Sequence, residues 1–124
     1  DVAQGAFVTP AIVLSPPETA SISCEEVFGP IVGVWTFRDE DEAIKNANGT
    51  SLALAAYIMT RDLGRATRVA ESVHAGVVGV NDAAPTIPEA PFGGIGMSGY
   101  GKEGGRHGLL DFLDFKFIST RLPK

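Results

Sequence analysis

The chain has 124 residues, 44 % of them hydrophobic, which predicts a soluble globular domain, or a large part of one, with a single core. Fifteen acidic against ten basic residues give a formal charge of −5 at pH 7. The Lys and Arg residues are scattered, so we expect no nucleic-acid partner and no anionic membrane surface, and no apolar run reaches the roughly 20 residues of a membrane span.

Short β-rich runs alternate with amphipathic stretches along the chain, which predicts an α/β fold with a mostly parallel sheet and flanking helices. Strands are predicted over residues 8–14, 31–37, 55–60 and 77–80, the last as a strand buried on both faces. A short helix is predicted over residues 39–47. A second helix is predicted to begin after a cap at Asp62 and to end at Gly76.

A glycine- and proline-rich segment follows over residues 82–105. It is too long and irregular for a simple connection, and segments of this kind often carry function. After it, the sequence predicts a short helix over residues 106–112 and a last strand over residues 115–122. Phe115 and Phe117 alternate with Lys116 on this strand, which would leave an apolar face and an edge open to a partner.

Cys24 is the only cysteine, so no internal disulfide can form and a reducing compartment, the cytoplasm, is expected. The two carboxylates that follow it make a thiolate scarcer, so Cys24 is a poor nucleophile. Cys24, His74 and His107 are too few and too dispersed for a zinc site, and we expect no metal. The chain begins at Asp1 without an initiator Met, and we expect the natural protein to be longer.

Two familiar motifs are weak in this sequence. Residues 99–104 have the glycine spacing of the dinucleotide-binding fingerprint, but they follow a loop instead of a strand, so we interpret the spacing as a chance match. Ser98, His107 and Asp111 are the residue types of a hydrolase triad. The second glycine of a nucleophile elbow is misplaced around Ser98, so the sequence does not favour a serine hydrolase.

Two other segments are specific: Glu25-Glu26-Val27-Phe28-Gly29-Pro30 before a strand, and Pro91-Phe92-Gly93-Gly94 followed by Ser98-Gly99, Gly101, Glu103 and Gly108. In this order they resemble the aldehyde dehydrogenase superfamily, over nearly the whole chain. The resemblance implies that residues 1–124 are the C-terminal part of a catalytic domain. Such an enzyme oxidises an aldehyde to a carboxylic acid with NAD or NADP through a cysteine thioester.

The family's nucleophile lies in a Gly-Gln-x-Cys context and its general base in a Glu-Leu-Gly-Gly context, and neither string occurs here. Cys24 does not match the nucleophile position. The resemblance therefore implies that this chain contains no catalytic residue and is inactive alone. A stand-alone binding or assembly module without catalysis is the alternative, which a longer reading frame with a Gly-Gln-x-Cys string would exclude.

The resemblance also assigns cofactor-binding residues. Glu26 would accept hydrogen bonds from the nicotinamide-side ribose, since a carboxylate can take both hydrogens of a vicinal diol. Phe28 would pack beside the nicotinamide ring. Without the following Phe28-Gly29-Pro30, a solvated acidic pair of Glu25 and Glu26 would be the preferred interpretation, and Phe28 could be an ordinary core aromatic.

On the substrate side, Phe92 corresponds to an aromatic that lines the family's aldehyde tunnel, with Gly93 and Gly94 as structural support for its loop. Core packing is an equal alternative for Phe92. Thr86 is the only hydroxyl available to a semialdehyde carboxylate in its loop, whereas Glu89 would oppose an anionic substrate. Succinate semialdehyde is therefore a candidate, with aromatic and aliphatic aldehydes left open.

Asn81, at the end of a buried strand, is interpreted as structural support that orders the following loop. Ala53 stands where many relatives carry glycine, and if that glycine has a positive φ, the alanine implies a locally adjusted turn. In the family, the C-terminal strand joins subunits. We accordingly expect residues 115–122 to be an oligomerisation strand in a homodimer or homotetramer.

Overall fold

The computed structural model of the chain describes residues 5–123. Its elements are, in chain order, β1 (Ala11–Leu14), α1 (Ser21–Cys24), β2 (Ile31–Val34), α2 (Glu40–Ala47), β3 (Ala55–Ile58), α3 (Leu63–Ser72), β4 (Val77–Val80), a 3₁₀ turn (Gly96–Ser98) and α4 (Gly105–Leu110). The chain divides into two compact units, one up to Thr50 and one from Ser51 onward.

The first unit is built on β1 and β2, which pair in parallel with Ala11 opposite Ile31. β1 ends where Ser15 takes a positive φ of 46°, directly before the Pro16-Pro17 pair that cannot continue a ladder. Farther along, α2 begins at a cap in which the Asp39 carboxylate accepts from the Glu42 N–H at 2.9 Å.

The second unit contains β3 and β4, again parallel, with Ala55 opposite Val77. The crossover between them is α3, which contacts both strands. It begins where the Asp62 carboxylate accepts from the Arg65 N–H at 2.9 Å, and its Ala66 is only 6 % exposed. The predicted cap at Asp62 and the parallel α/β pattern are therefore confirmed.

β1, β2 and β3 are shorter than predicted, because each ladder pairs only four residues on each strand, whereas β4 has its predicted bounds. α1 and the 3₁₀ turn were not predicted, since single turns this short leave no clear periodicity. Residues 115–122 form no ladder with any other described residue, so the strand predicted there is not seen in this chain. Within the part that the structure describes, no helix has the length and apolar character needed to span a bilayer.

The expected single core is not formed. Among residues 5–123 the buried residues are Pro16, Ala66, Gly79, Gly94 and Gly108. β4 is half-buried instead of covered on both faces. Large apolar side chains remain open, with Phe28 96 % and Phe117 91 % exposed. The apolar composition therefore supplies surfaces that this chain alone does not cover.

Candidate functional site

The glycine-rich loop folds back on itself at Phe92. The Phe92 N–H donates to the Glu103 carbonyl oxygen at 2.8 Å, and the Glu103 N–H donates to the Phe92 carbonyl oxygen at 2.7 Å. This pair is an isolated antiparallel bridge. Both backbone groups of Phe92, its N–H and its carbonyl, are held by this bridge. The position of the aromatic ring therefore depends on the conformation of residues 92–103.

Lys102 reaches across this loop. Its Nζ donates to the carbonyl oxygens of Gly93 at 2.6 Å and Gly94 at 2.9 Å. The Lys102 N–H donates to Oδ2 of Asp111 at 2.8 Å, which ties the lysine backbone to the end of α4. A cation thus holds two consecutive carbonyl groups directly after Phe92.

The loop is also anchored at the start of β3. The Ala53 N–H donates to Oγ of Ser98 at 2.7 Å. The Ala53 carbonyl accepts from Gly76 at 3.0 Å and from Ile95 at 3.1 Å. Ser98 is therefore engaged as an acceptor of a backbone hydrogen bond. Ala53 does not have a positive φ, so alanine adopts an ordinary backbone conformation at this position.

Two glycines allow the backbone to approach closely at this anchor. A Cβ placed on Gly76 would overlap the Gly93 carbonyl group, and a Cβ on Gly94 would overlap Ser98. Gly93 itself has a φ of 155°. The Gly93-Gly94 pair thus combines an unusual backbone conformation with a contact that leaves no room for side chains.

An open cavity of about 620 Å³ lies beside this loop, entirely within the second unit. Its wall includes Leu54, Phe92, Gly93, Gly94, Ser98 and Lys102. The Phe92 side chain is half-buried. The cavity therefore has an aromatic ring in its wall, next to the lysine that holds the loop.

Asn81 follows β4 with a φ of 53°. Its Oδ1 accepts from the Thr60 N–H at 2.9 Å, and its Nδ2 donates to the Thr60 carbonyl at 2.8 Å. The side chain is exposed instead of buried, and its amide is paired with backbone. Thr86 is exposed five positions along the loop, and the structure does not bring it to the wall of the cavity.

Glu26 and Phe28 lie in the first unit, in the loop between α1 and β2. Both are exposed, and neither side chain makes a hydrogen bond or ion pair with the described residues. The Gly29 N–H donates to the Val27 carbonyl at 2.8 Å, which turns the chain at Phe28. The turn presents the ring and the carboxylate outward.

Cys24 is a structural contact in this unit. Its thiol donates to the Glu18 carbonyl oxygen at 3.0 Å. Within residues 5–123 no three His, Cys, Asp or Glu side chains gather in a way that could hold a metal ion.

Lys102 is the residue that the sequence did not single out. A lysine eight or nine positions after two glycines carries no recognisable signal, because the fold of the intervening loop alone decides whether it returns to them. Asp111 was considered only as a hydrolase residue, whereas its carboxylate accepts from the Lys102 backbone.

Comparison with known proteins covers nearly the whole chain. Residues 1–118 match the aldehyde dehydrogenase family. The chain is 43 % identical over 118 residues to the NADP-dependent succinate-semialdehyde dehydrogenase of Escherichia coli, covering 95 % of this chain and 24 % of that relative. It is 42 % identical over 115 residues to a glutarate-semialdehyde dehydrogenase of Pseudomonas putida, covering 93 % and 24 %.

A crystal structure of betaine aldehyde dehydrogenase from Staphylococcus aureus in complex with NAD+ matches with a TM-score of 0.78 and 40 % identity, over 82 % of this chain and 20 % of that one. An Escherichia coli NADP-dependent enzyme matches with a TM-score of 0.82 and 43 % identity, over 86 % and 22 %. The chain spans about a quarter of the length of its curated relatives. These matches do not favour the stand-alone module, and the chain belongs to the aldehyde dehydrogenase family.

Proposed function

We propose that this chain is the site-shaping C-terminal part of an NAD(P)-dependent aldehyde dehydrogenase, which oxidises an aldehyde to a carboxylic acid through a cysteine thioester. The observation that carries the proposal is the Phe92 loop. An aromatic ring in the wall of a cavity, fixed by a bridge to Glu103, is suited to line the path of a small apolar or amphipathic substrate.

The nucleophile and the general base would lie outside these 124 residues. Cys24 does not lie in the Gly-Gln-x-Cys context of the family's nucleophile, and its thiol donates to the Glu18 carbonyl oxygen. The small number of buried residues also supports the proposal that further parts of the enzyme lie outside this chain. Phe115 and Phe117 are 89 % and 91 % exposed, and apolar side chains as open as these favour further protein packed against them.

Glu26 and Phe28 fit a nicotinamide cofactor by the chemistry of their side chains. The Glu26 carboxylate offers two acceptor oxygens to a ribose diol, and neither oxygen is engaged by the described residues. The exposed Phe28 ring can stack on a flat heterocycle. When bound, NAD or NADP supplies the acceptor for the hydride. Glu26 and Phe28 would hold and orient it.

Semialdehydes are the substrate class that we propose, because relatives that are 42–43 % identical to this chain include succinate- and glutarate-semialdehyde dehydrogenases. The Thr86 hydroxyl would then donate a hydrogen bond to the distal carboxylate of the substrate. Its exposed loop leaves that hydroxyl accessible, while Glu89 on the same loop would have to face away from an anionic substrate.

We further propose that residues 115–122 form an intersubunit strand in a homodimer or homotetramer. Phe115 is 89 % and Phe117 is 91 % exposed, and neither lies in a ladder with described residues. An apolar segment of this kind would gain both hydrogen bonds and buried area by pairing with a strand of another subunit. We expect the enzyme to work in the cytoplasm, in line with the single cysteine.

The test is the steady-state kinetics of the full-length enzyme with succinate semialdehyde and NAD or NADP, for the Glu26→Gln variant. Loss of one charge-assisted hydrogen-bond acceptor should raise KM for the cofactor or lower kcat by about ten- to hundredfold. The neighbouring Glu25→Gln variant is the matched control and should stay within about twofold of the parent. If Glu26→Gln, like Glu25→Gln, keeps the kinetics of the parent, Glu26 is only a surface acid.

A further inference from the structure

We propose that Lys102 is a positioning residue that fixes the Phe92 loop and thereby sets which aldehydes the site accepts. This inference rests on the proposed function, because it takes the Phe92 ring as part of the substrate path. We call the two hydrogen bonds from Nζ of Lys102 to the Gly93 and Gly94 carbonyl oxygens the clamp. The evidence for the clamp is the geometry of the loop alone.

The hydrogen bonds around Lys102 connect the beginning of the loop to its end. The Phe92–Glu103 bridge joins the two arms of the loop with bonds of 2.8 and 2.7 Å. Directly beside it, Nζ of Lys102 joins the Gly93 and Gly94 carbonyls at 2.6 and 2.9 Å. The lysine's own backbone is fixed by Asp111 at 2.8 Å, so the ammonium group is presented from a held position.

The ammonium group matters here because the residues it holds are glycines. Glycine has the widest choice of backbone conformations, so two in succession after Phe92 would otherwise let the ring sample many orientations. The contacts of Lys102 are half-buried and charge-assisted, which makes them stronger than neutral hydrogen bonds at the surface. Removing the charge should therefore loosen the loop without touching a reacting group.

The consequence for the reaction is a change in selectivity. A loosened Phe92 ring presents a less defined wall to the substrate, while the nucleophile and the base, which in the proposed enzyme lie outside these 124 residues, are unchanged. Lys102→Met should raise KM for the preferred semialdehyde by about tenfold and leave kcat within about threefold. The ratio of kcat/KM between that semialdehyde and propanal should fall by a similar factor, which a merely destabilised enzyme would not show.

Two further variants complete the kinetic test. Lys102→Arg keeps a cation with several donors and should lie closer to the parent than Lys102→Met. Lys45→Met removes the same charge from an exposed position on α2 in the other unit and should leave selectivity unchanged. If the folded Lys102→Met enzyme keeps the parent's KM and its selectivity, the proposal is wrong.

Amide hydrogen exchange of the full-length protein tests the clamp without using activity. Lys102→Met should speed exchange at the Phe92 and Glu103 amides by about tenfold, and Lys45→Met should not. Lys102→Gln replaces Lys102→Met in both measurements if the methionine variant fails to fold. Should the parent oxidise no aldehyde at all, the proposed function fails, and hydrogen exchange alone then decides the clamp: unchanged protection at Phe92 would overturn it.

Discussion

The side chain of Asn81 continues the hydrogen-bonding pattern between β3 and β4 by pairing with both backbone groups of Thr60, at 2.9 and 2.8 Å. Asn81 does so from a left-handed backbone conformation, with a φ of 53°. Asparagine tolerates this conformation better than most residues with a side chain. One residue therefore both ends the strand and turns the chain into the loop that carries Thr86.

Two replacements of Asn81 should separate the contribution of its side-chain hydrogen bonds to stability from the contribution of its left-handed backbone conformation. Asn81→Gly keeps the left-handed conformation and loses the two hydrogen bonds, which should lower the free energy of unfolding by about 1–2 kcal/mol. Asn81→Ala loses the bonds and also places a Cβ at positive φ, for a further ~1–2 kcal/mol. Urea denaturation of the full-length enzyme measures both. Asn46→Ala on the exposed face of α2 is the control, and equal losses for Asn81→Gly and Asn81→Ala would contradict the conformational part.

A pH dependence is expected at the start of α2. The backbone N–H of Arg38 and its guanidinium both donate to Glu42, at 2.8 and 3.0 Å, and they hold the pKa of that carboxyl below its ordinary value of 4.5. A depressed pKa in the folded state means that the charged form stabilises the fold above pH 4.5, and that this contribution is lost as the pH falls through the folded-state pKa.

Glu42→Gln should therefore melt at a lower temperature than the parent at pH 7, and the difference should shrink as the pH is taken below 4.5. Added salt should also reduce the difference, since the Arg38 side chain is exposed to solvent. Thermal melting of the two full-length proteins across this pH range measures the effect. A difference that is constant from pH 7 to pH 3 would show that the charge on Glu42 is not its cause.

Gly76 should not tolerate a side chain. A Cβ there would overlap the Gly93 carbonyl, so Gly76→Ala must displace the Phe92 loop and should cost about 1–3 kcal/mol of stability. Gly29→Ala is the matched control, because no described atom lies within 4 Å of its added Cβ. Chemical denaturation compares them. A stability loss of the same size for both variants would mean that the contact with Gly93 is not the reason.

The proposed intersubunit strand is tested by ending the full-length enzyme at Asp114. Light scattering should show a shift toward monomer, and thermal melting should occur at a lower temperature, because the strand's hydrogen bonds and apolar contacts are lost together. Lys116→Ser leaves Phe115 and Phe117 in place and should keep the parent's mass. If the truncated enzyme keeps that mass and its melting behaviour, residues 115–122 do not assemble subunits.

The sequence predicted most elements of the fold because their signals are local. Asp62 caps α3 with its own side chain, and the apolar run of β4 gives the strand's bounds directly. The predicted lengths of β1, β2 and β3 are too long, since apolar residues continue beyond the ends of the pairing. The absence of a full core was not predicted, because composition reports apolar content and does not report whether partners are present to cover it.

The site was predictable only as far as its motifs reach. Phe92, Gly93 and Gly94 stand out in the sequence, and the structure places them together in one cavity wall. The clamp by Lys102 joins residues eight and nine positions apart, and the anchor between Ser98 and Ala53 joins residues 45 positions apart, across β3, α3 and β4. No local pattern predicts either contact. Glu26 and Phe28 lie in the other unit, and their roles stay predictions.

The most direct test of the central claim is the rate of reduced-cofactor formation by the full-length Cys24→Ser enzyme with succinate semialdehyde and NAD or NADP. Serine keeps a donor for the Glu18 carbonyl but removes the only thiol of this chain. We predict a rate within about twofold of an active parent, because the nucleophile lies outside these residues and the thiol here is structural. A parent enzyme that oxidises no aldehyde, or an active parent whose activity disappears with Cys24→Ser, would contradict the account.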